Sequence, residues 1–561
     1  MKIPTDAVDR EQFYQNVMNK CLITRSEREA FYRQLQSYFL FGGQEGTQAE
    51  YNKIQPTILL LTSFIYSAET TKFLIQLGAT VPKSELQKVP VLSQEINDLW
   101  HDSDTDLSTN DAIMWAFCYG CTIVKVFWDH GMKVYMCEPG TFGVYREDIS
   151  SLEQQEAVCH VYMTSRSQLA MDLKRTQHPQ AKAIMDWVEA GAQTMSHEGY
   201  PEGLQRLIVT QSYPQMSGMP AGGMTNNGTS FDYKPKNDAD LVEMYELYVW
   251  DDDLQKDENG NAEGNWRIVT IADPGVVIYD REWFGIPKIL PFVKVCPFPL
   301  PFYFWGMSFL ANLVPLQDWR TERVEQIRRL MKLQIKPPKA LEGFSGITEE
   351  KAQALNRIGG ILMGQPGSKV SNLPPQMPAD LFAELAQIDA MFDDTAGITH
   401  VMQGKGESGV RAKGHADLMA RLSSARPKTT ALRVEDALDR IATLMCLNLQ
   451  QFSAQKYTIE GEKTADGNPL VFLATQFTDD FVVKVDAHSS SPIFVEDKKA
   501  DAQALLEAKA IDRETFLEMF DPPGVQMLKE RLKLIEKKEA EMAKLQAAFK
   551  LKEDQVKHGG K

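Results

Sequence analysis

Trp305-Gly306-Met307-Ser308-Phe309-Leu310 opens an apolar stripe that continues through Leu313, Leu316, Val324, Ile327 and Met331. The steps are of three or four residues except across Arg320, so residues 305–336 are expected as one long helix. Pro315 in its first turns is a point where that helix bends. Residues 337–376 follow as a compact segment, opened by Pro337-Pro338 and closed by Pro374-Pro375. A shorter helix is expected over 379–394, with Leu381, Leu385, Ile388 and Phe392 on one face. Residues 320–339 hold seven Lys or Arg against two Glu, a local balance of +5, whereas 377–400 hold five Asp or Glu and no Lys or Arg. Two amphipathic helices of opposite charge, joined by a small module, are expected to pack antiparallel and pair their charges. Asp393 and Asp394 lie near a helix C-terminus, where the macrodipole disfavours anions by about 0.3–1 kcal/mol. Their cationic partner is expected from elsewhere, another subunit included.

Upstream, helices are expected within 8–40, over 56–77 and over 90–117. The period then changes. Cys121 to Trp128 is β-branched and aromatic, Asp129-His130-Gly131 breaks it, and Lys133 to Cys137 returns, which is a hairpin signature. Leu241 to Trp250 and Trp266 to Ile271 form a second expected hairpin across the acidic stretch 251–265. Residues 213–235, rich in Met, Gly, Ser, Asn and Pro, read as a mobile loop. Pro291, Pro297, Pro299 and Pro301 close the strand-forming region. Downstream, a glycine-rich loop at 397–414 leads to a long helix ending near Leu449 and interrupted by Pro427. Strand-like runs follow at Leu470–Leu473 and Phe481–Val485, and then a last helix from about Gln526 to Gln555. That helix carries Leu528, Leu532, Ile535, Met542, Leu545 and Phe549 among many Lys and Glu, a pattern suited to self-association or to packing on its own subunit.

The chain has 561 residues and a formal net charge of −16, with 43% hydrophobic and 24% charged residues. This is ordinary globular usage for about three or four domains, and it excludes a fibre or a chain disordered throughout. The acid excess argues against a protein that coats nucleic acid. Seven scattered cysteines and no basic-then-apolar leader fit a reducing compartment. The greasiest early run, Ile58 to Tyr66, is far short of a bilayer span.

Gly404-Lys405-Gly406-Glu407-Ser408-Gly409 matches Gly-x-Gly-x-x-Gly, but an acidic helix precedes it where a nucleotide site requires a strand. The loop reads either as a solvated linker or as a basic finger presenting Lys405, Arg411 and Lys413 to a polyanion. No P-loop motif, His-Glu-x-x-His or Gly-x-Ser-x-Gly occurs, and the acidic stretch at 251–259 lacks an EF-hand glutamate. Cys118-Tyr119-Gly120-Cys121 is a Cys-x-x-Cys without a second ligand pair. It therefore reads as two incidental thiols at a helix–strand joint. No catalytic constellation, metal site or cofactor site assembles.

Three pieces, taken in order, resemble the tailed-phage portal protein, the head-to-tail connector family. The strand Tyr119-Gly120-Cys121-Thr122-Ile123-Val124-Lys125-Val126, with the Glu138-Pro139 turn and Phe142, is similar to the glycine-containing wing strand of portals. Trp305-Gly306-Met307-Ser308-Phe309-Leu310 resembles the opening of the stem helix. Ala396-Gly397-Ile398-Thr399 and the glycines up to Arg411 resemble the tunnel-loop segment. The ordered match covers about residues 50–490. The resemblance implies an α+β, portal-like architecture with a mixed α/β wing, long stem helices, a small α/β clip and a helical C-terminal crown. The implied limits are 1–304 for the wing, 305–336 and 377–396 for the stem, and 337–376 for the clip. Residues 397–411 would be the tunnel loop, 412–494 a long kinked helix with wing return strands, and 495–561 the crown.

It implies a non-enzymatic ring of twelve subunits at one capsid vertex, through which double-stranded DNA is packaged and ejected. The implied partners are DNA, the terminase, head-completion or adaptor proteins, and capsid or scaffolding protein, with no membrane. The implied location is the virion, and the host cytoplasm during assembly. Lys405, Arg411 and Lys413 would face the channel, and Asp393, Asp394, Arg328 and Arg329 are candidates for charge pairing between subunits. An acidic wall suits a conduit, because a strongly basic one would hold the phosphates. Two other classes stand beside this reading: a metal or redox enzyme using Cys118 and Cys121, and a non-portal structural protein assembling through its last helix.

Overall fold

In the computed structural model of the chain, helix α1 (Ala7–Cys21) starts where the Asp6 carboxylate accepts the N–H groups of Val8 and Asp9 at 3.2 and 3.4 Å. The structure describes residues 1–43, 51–175, 181–186, 241–254, 263–335, 339–342, 366–373, 380–398, 425–463 and 469–485, apart from a few positions inside those ranges, together with scattered residues elsewhere. After α1 come α2 (Arg25–Phe41), α3 (Ile54–Ile65), β1 (Phe73–Leu77), α4 (Lys83–Leu86), α5 (Val89–Asp102) and α6 (Thr105–Tyr119). The strand-rich part holds β2 (Thr122–Trp128), β3 (Met132–Met136), β4 (Phe142–Val144), β5 (Ala157–Ser165), α7 (Arg166–Arg175), β6 (Leu241–Asp251), β7 (Asn265–Ala272), β8 (Val276–Glu282) and β9 (Phe292–Val295). Beyond it lie α8 (Phe309–Ile335), β10 (Lys339–Glu342), β11 (Lys369–Asn372), α9 (Asp380–Ala396), α10 (Ala425–Phe452), β12 (Lys456–Lys463), β13 (Pro469–Leu473) and β14 (Phe481–Val485). The class is mixed α+β, built on several small antiparallel sheets.

Both expected hairpins form. β2 and β3 pair around a turn in which His130 takes φ +53°, and β6 pairs with β7 from Met244↔Ala272 to Asp251↔Asn265. The second hairpin is the middle of a larger sheet, in the order β4-β5-β6-β7-β8. Its central strands are buried on both faces. Ala157, Cys159, Val161, Leu247 and Val249 pack against Tyr14, Val17 and Met18 of α1. Val158 and Tyr248, on the alternate face, share a core with Ile123 and Phe292 of the β3-β2-β9 sheet. With both faces covered, these strands lose the clean apolar–polar alternation of a half-exposed strand.

A second buried core gathers α2, α3, α5, α6, α8 and α10 around Trp100, Ile113, Phe117, Leu313 and Ile441. Several expectations are corrected here. The helix expected over 56–77 ends at Ile65, and Phe73–Leu77 is a strand with Phe73 and Ile75 buried and Leu74 and Gln76 exposed. Its partner is β14, paired from Phe73↔Val485 to Leu77↔Phe481, and a five-residue apolar run does not declare so distant a neighbour. The helix expected over 90–117 is two helices, broken at Asp104 with φ +52°. The long helix before Leu449 is described from Ala425. The interruption expected at Pro427 falls at the edge of the described residues, and from there the helix runs on to Phe452. The loop 213–235, most of 397–414 and the helix 526–555 lie outside the described residues or are represented there only by scattered positions.

Candidate functional site

The helix expected from Trp305 starts four residues later, and the reason lies in how the two glycine turns meet. Gly120 ends α6 with φ +97°, and a Cβ there would lie 2.9 Å from the Met307 carbonyl carbon and 3.0 Å from the Trp305 oxygen. Gly306 answers it with φ +71°, and a Cβ there would lie 2.9 Å from the Gly120 oxygen and 2.6 Å from Cys296 Sγ. Trp305-Gly306-Met307 is therefore a close-packed turn against the end of α6. Ser308 then caps α8: its Oγ accepts the Ala311 N–H at 3.0 Å and donates to the Cys118 carbonyl at 2.6 Å. Trp305 is pinned from its other side, its Nε1 donating to Glu147 at 2.7 Å while the Arg28 guanidinium stacks 3.7 Å over its ring.

From this anchored start α8 runs antiparallel to α9, as their cross-links show. Arg320 Nε lies 2.8 Å from Asp389, and one turn further along α8 Arg323 reaches back to Glu384 at 2.5 Å. Leu310, Leu313 and Ile327 are buried on α8, and Leu381, Ile388 and Phe392 on α9. Arg320, where the apolar stripe breaks, is buried too. The gap in the stripe is thus a buried cation in the helix seam. The cation for Asp393 comes from the same chain: Lys53 Nζ stands 2.8 Å from Asp393 and 3.5 Å from Asp389. Sequence reasoning missed Lys53, whose only local signal is Asn52 capping α3. The Lys53 N–H also donates to Gln317 at 3.1 Å, and the Tyr38 hydroxyl donates to Asp318, so α2 and α3 hold the root of α8. Asp394 and Arg328 are exposed, and Arg329 pairs with Glu325 on its own helix at 3.2 Å. At the far end β10 and β11 pair as an antiparallel ribbon, Lys339↔Asn372 to Glu342↔Lys369. Lys405, Arg411 and Lys413 lie outside the described residues, between Ile398 and Ala425.

Cys118 and Cys121 are buried, and burial pushes both thiols well above their ordinary range, opposite to what a thiolate nucleophile needs. Among the described residues no group of three or more His, Cys, Asp or Glu is placed to hold a metal. A further buried polar cluster joins the two sheets of the strand-rich part. Lys125 of β2 is ion-paired with Glu246 of β6, the Tyr248 hydroxyl donates to Glu246 at 2.8 Å, and His160 Nδ1 is 3.4 Å away. Burial alone would raise the Glu246 carboxyl, but Lys125 and His160 outweigh it and hold it down at about 2. No helix among the described residues is long and apolar enough to cross a membrane.

The described residues thus form a long helical hairpin, rooted in an α/β body and tipped by a small ribbon. The chain matches the family model described as phage SU10 portal protein over residues 83–488, and it belongs to that family. No curated protein matches it. Phage portal proteins are structural, non-enzymatic proteins, and the family implies an oligomeric ring, DNA and capsid partners and a place in the virion.

Proposed function

We propose that the chain forms a ring of twelve subunits at one capsid vertex, and that double-stranded DNA passes through its centre during packaging and ejection. The observation that carries this is the family match over residues 83–488, a span that includes the α8–α9 hairpin and the β10–β11 ribbon. In this reading residues 1–304 are the wing, 305–336 and 377–396 the stem, 337–376 the clip, 397–411 the tunnel loop, 412–494 the long helix and wing return strands, and 495–561 the crown. The clip is the docking surface for the terminase and later for head-completion proteins, and the wing meets capsid or scaffolding protein. The ring assembles in the host cytoplasm before it becomes part of the virion.

Lys405, Arg411 and Lys413 face the channel as a few cations on an otherwise acidic wall, enough to touch phosphates without trapping the duplex. Asp393 and Arg329 pair within the chain, and the exposed Asp394 and Arg328 are the stem charges that meet a neighbouring subunit in this reading. Negative-stain electron microscopy with native mass tests the ring directly. A ring with an axial hole and a mass near twelve chains is expected, and a monomer at every concentration rejects it. Replacing Lys405, Arg411 and Lys413 together by Ala is expected to change packaging or DNA retention, and unchanged behaviour removes their role.

A further inference from the structure

Leu300-Pro301-Phe302-Tyr303 is a turn closed by an antiparallel bridge between Leu300 and Tyr303. Pro301 restricts the turn's second position, and Phe302 follows at φ +58°, the place where such a turn takes glycine. A bulky side chain in that region is strained, and strain of this kind is kept where something over-determines it. Phe302 is also 86% exposed, the most exposed large apolar side chain among the described residues. The fold therefore spends strain to hold an aromatic ring in water.

The same turn walls a solvent-open groove of about 540 Å³, lined by Leu61, Ile65, Phe117, Phe298, Met307 and Phe309. Leu300 faces into that groove, whereas Phe302, two residues on, is not among its walls. Arg433 is the one charged side chain among the described lining residues. A knob and a complementary apolar hole thus sit on one chain, offset so that they do not fill each other.

We propose that Phe302 seats in this groove on the neighbouring copy of the chain. Offset complementary patches give a heterologous contact, the kind that propagates around a ring instead of closing as a two-fold dimer. The occupant follows from that geometry and rests on the ring reading above. Area sets its role. An aromatic ring buries roughly 150–250 Å², against about 800 Å² per partner for a standard interface, so Phe302 is an anchor within a wider contact that the helices complete.

The test starts from the full-length protein. Phe302→Gly removes the knob and relieves the backbone, so the thermal unfolding of the isolated chain should stay level or rise. The affinity between copies should fall at least about tenfold by concentration-dependent native mass. A purely structural Phe302 would instead lower the unfolding temperature. In a Phe302→Cys, Asn312→Cys chain, Asn312 being an exposed residue of the groove wall, mild oxidation should give a ladder of covalent multimers that neither single variant gives. A wild-type ring with unchanged Phe302→Gly affinity and no ladder overturns this contact and leaves the portal reading standing. A bridge confined to one chain means the groove takes its own turn and also overturns it. A wild-type chain that forms no ring removes both.

Discussion

Gly120 and Gly306 show how much one missing Cβ decides. Each holds a left-handed φ and each would drive a Cβ to within 3.0 Å of the other turn, so the end of α6 and the start of α8 meet at backbone distance. Gly120→Ala combines backbone strain with overpacking, and we expect a loss of about 2–4 kcal/mol in chemical denaturation. A loss under half of that would mean the two turns slide apart at little cost. Both glycines stood out in the sequence as parts of separate motifs. Nothing local announced that they touch, because the contact spans 186 positions of chain. Arg320 is the converse case. Its place as the break in an apolar stripe was legible, but its burial against Asp389 depends on a helix 69 residues away.

At the scale of elements, the charge asymmetry of α8 and α9 correctly foretold their antiparallel pairing, since opposite charges at matching heights favour that arrangement. Arg320→Ala leaves Asp389 only the more distant Lys53 in a partly buried seam, and unfolding measurements are expected to show a loss of about 1–3 kcal/mol. Arg329→Ala, on an exposed pair, should stay within about 0.5 kcal/mol. Equal effects from the two would mean that the seam is as wet as the surface. The sheets of the strand-rich part carry a pH signature. Burial, with Lys125 adding to it, keeps His160 below its usual 6.5, against the pull of Glu246. The unfolded chain therefore takes up the proton first, and stability falls as pH drops below about 6.5. Glu246, held at about 2 instead of 4.5, contributes stability above about 4.5 that is lost as pH falls towards about 2. Thermal melts across pH should show both phases; His160→Gln should abolish the upper one and, by removing part of what holds Glu246 down, shrink the lower one as well. A profile unaffected by that substitution would place the titrating group elsewhere.

For the whole molecule, the ring reading distinguishes the stem from the C-terminal segment as the source of assembly. A chain ending before Val525 is expected to keep its ring, as seen by electron microscopy, because α8, α9 and the strand-rich part remain. Loss of the ring would point to assembly through the last helix instead. What the amino-acid sequence determined by itself was local and periodic: the two hairpins, the long helical pair with its charge asymmetry, the proline-bounded segment between them, and the ordered motifs that led to the portal family. Apolar spacing and turn chemistry act over a few residues, so they can be read along the chain. The tertiary structure alone decided that Phe73–Leu77 is a strand, that the hairpin at 241–272 is the centre of a sheet covered on both faces, that Lys53 supplies the cation for Asp393, and that Gly120 lies against Gly306. Each of these is settled by a partner tens to hundreds of residues away, whose burial outweighs the local preference of the segment it meets.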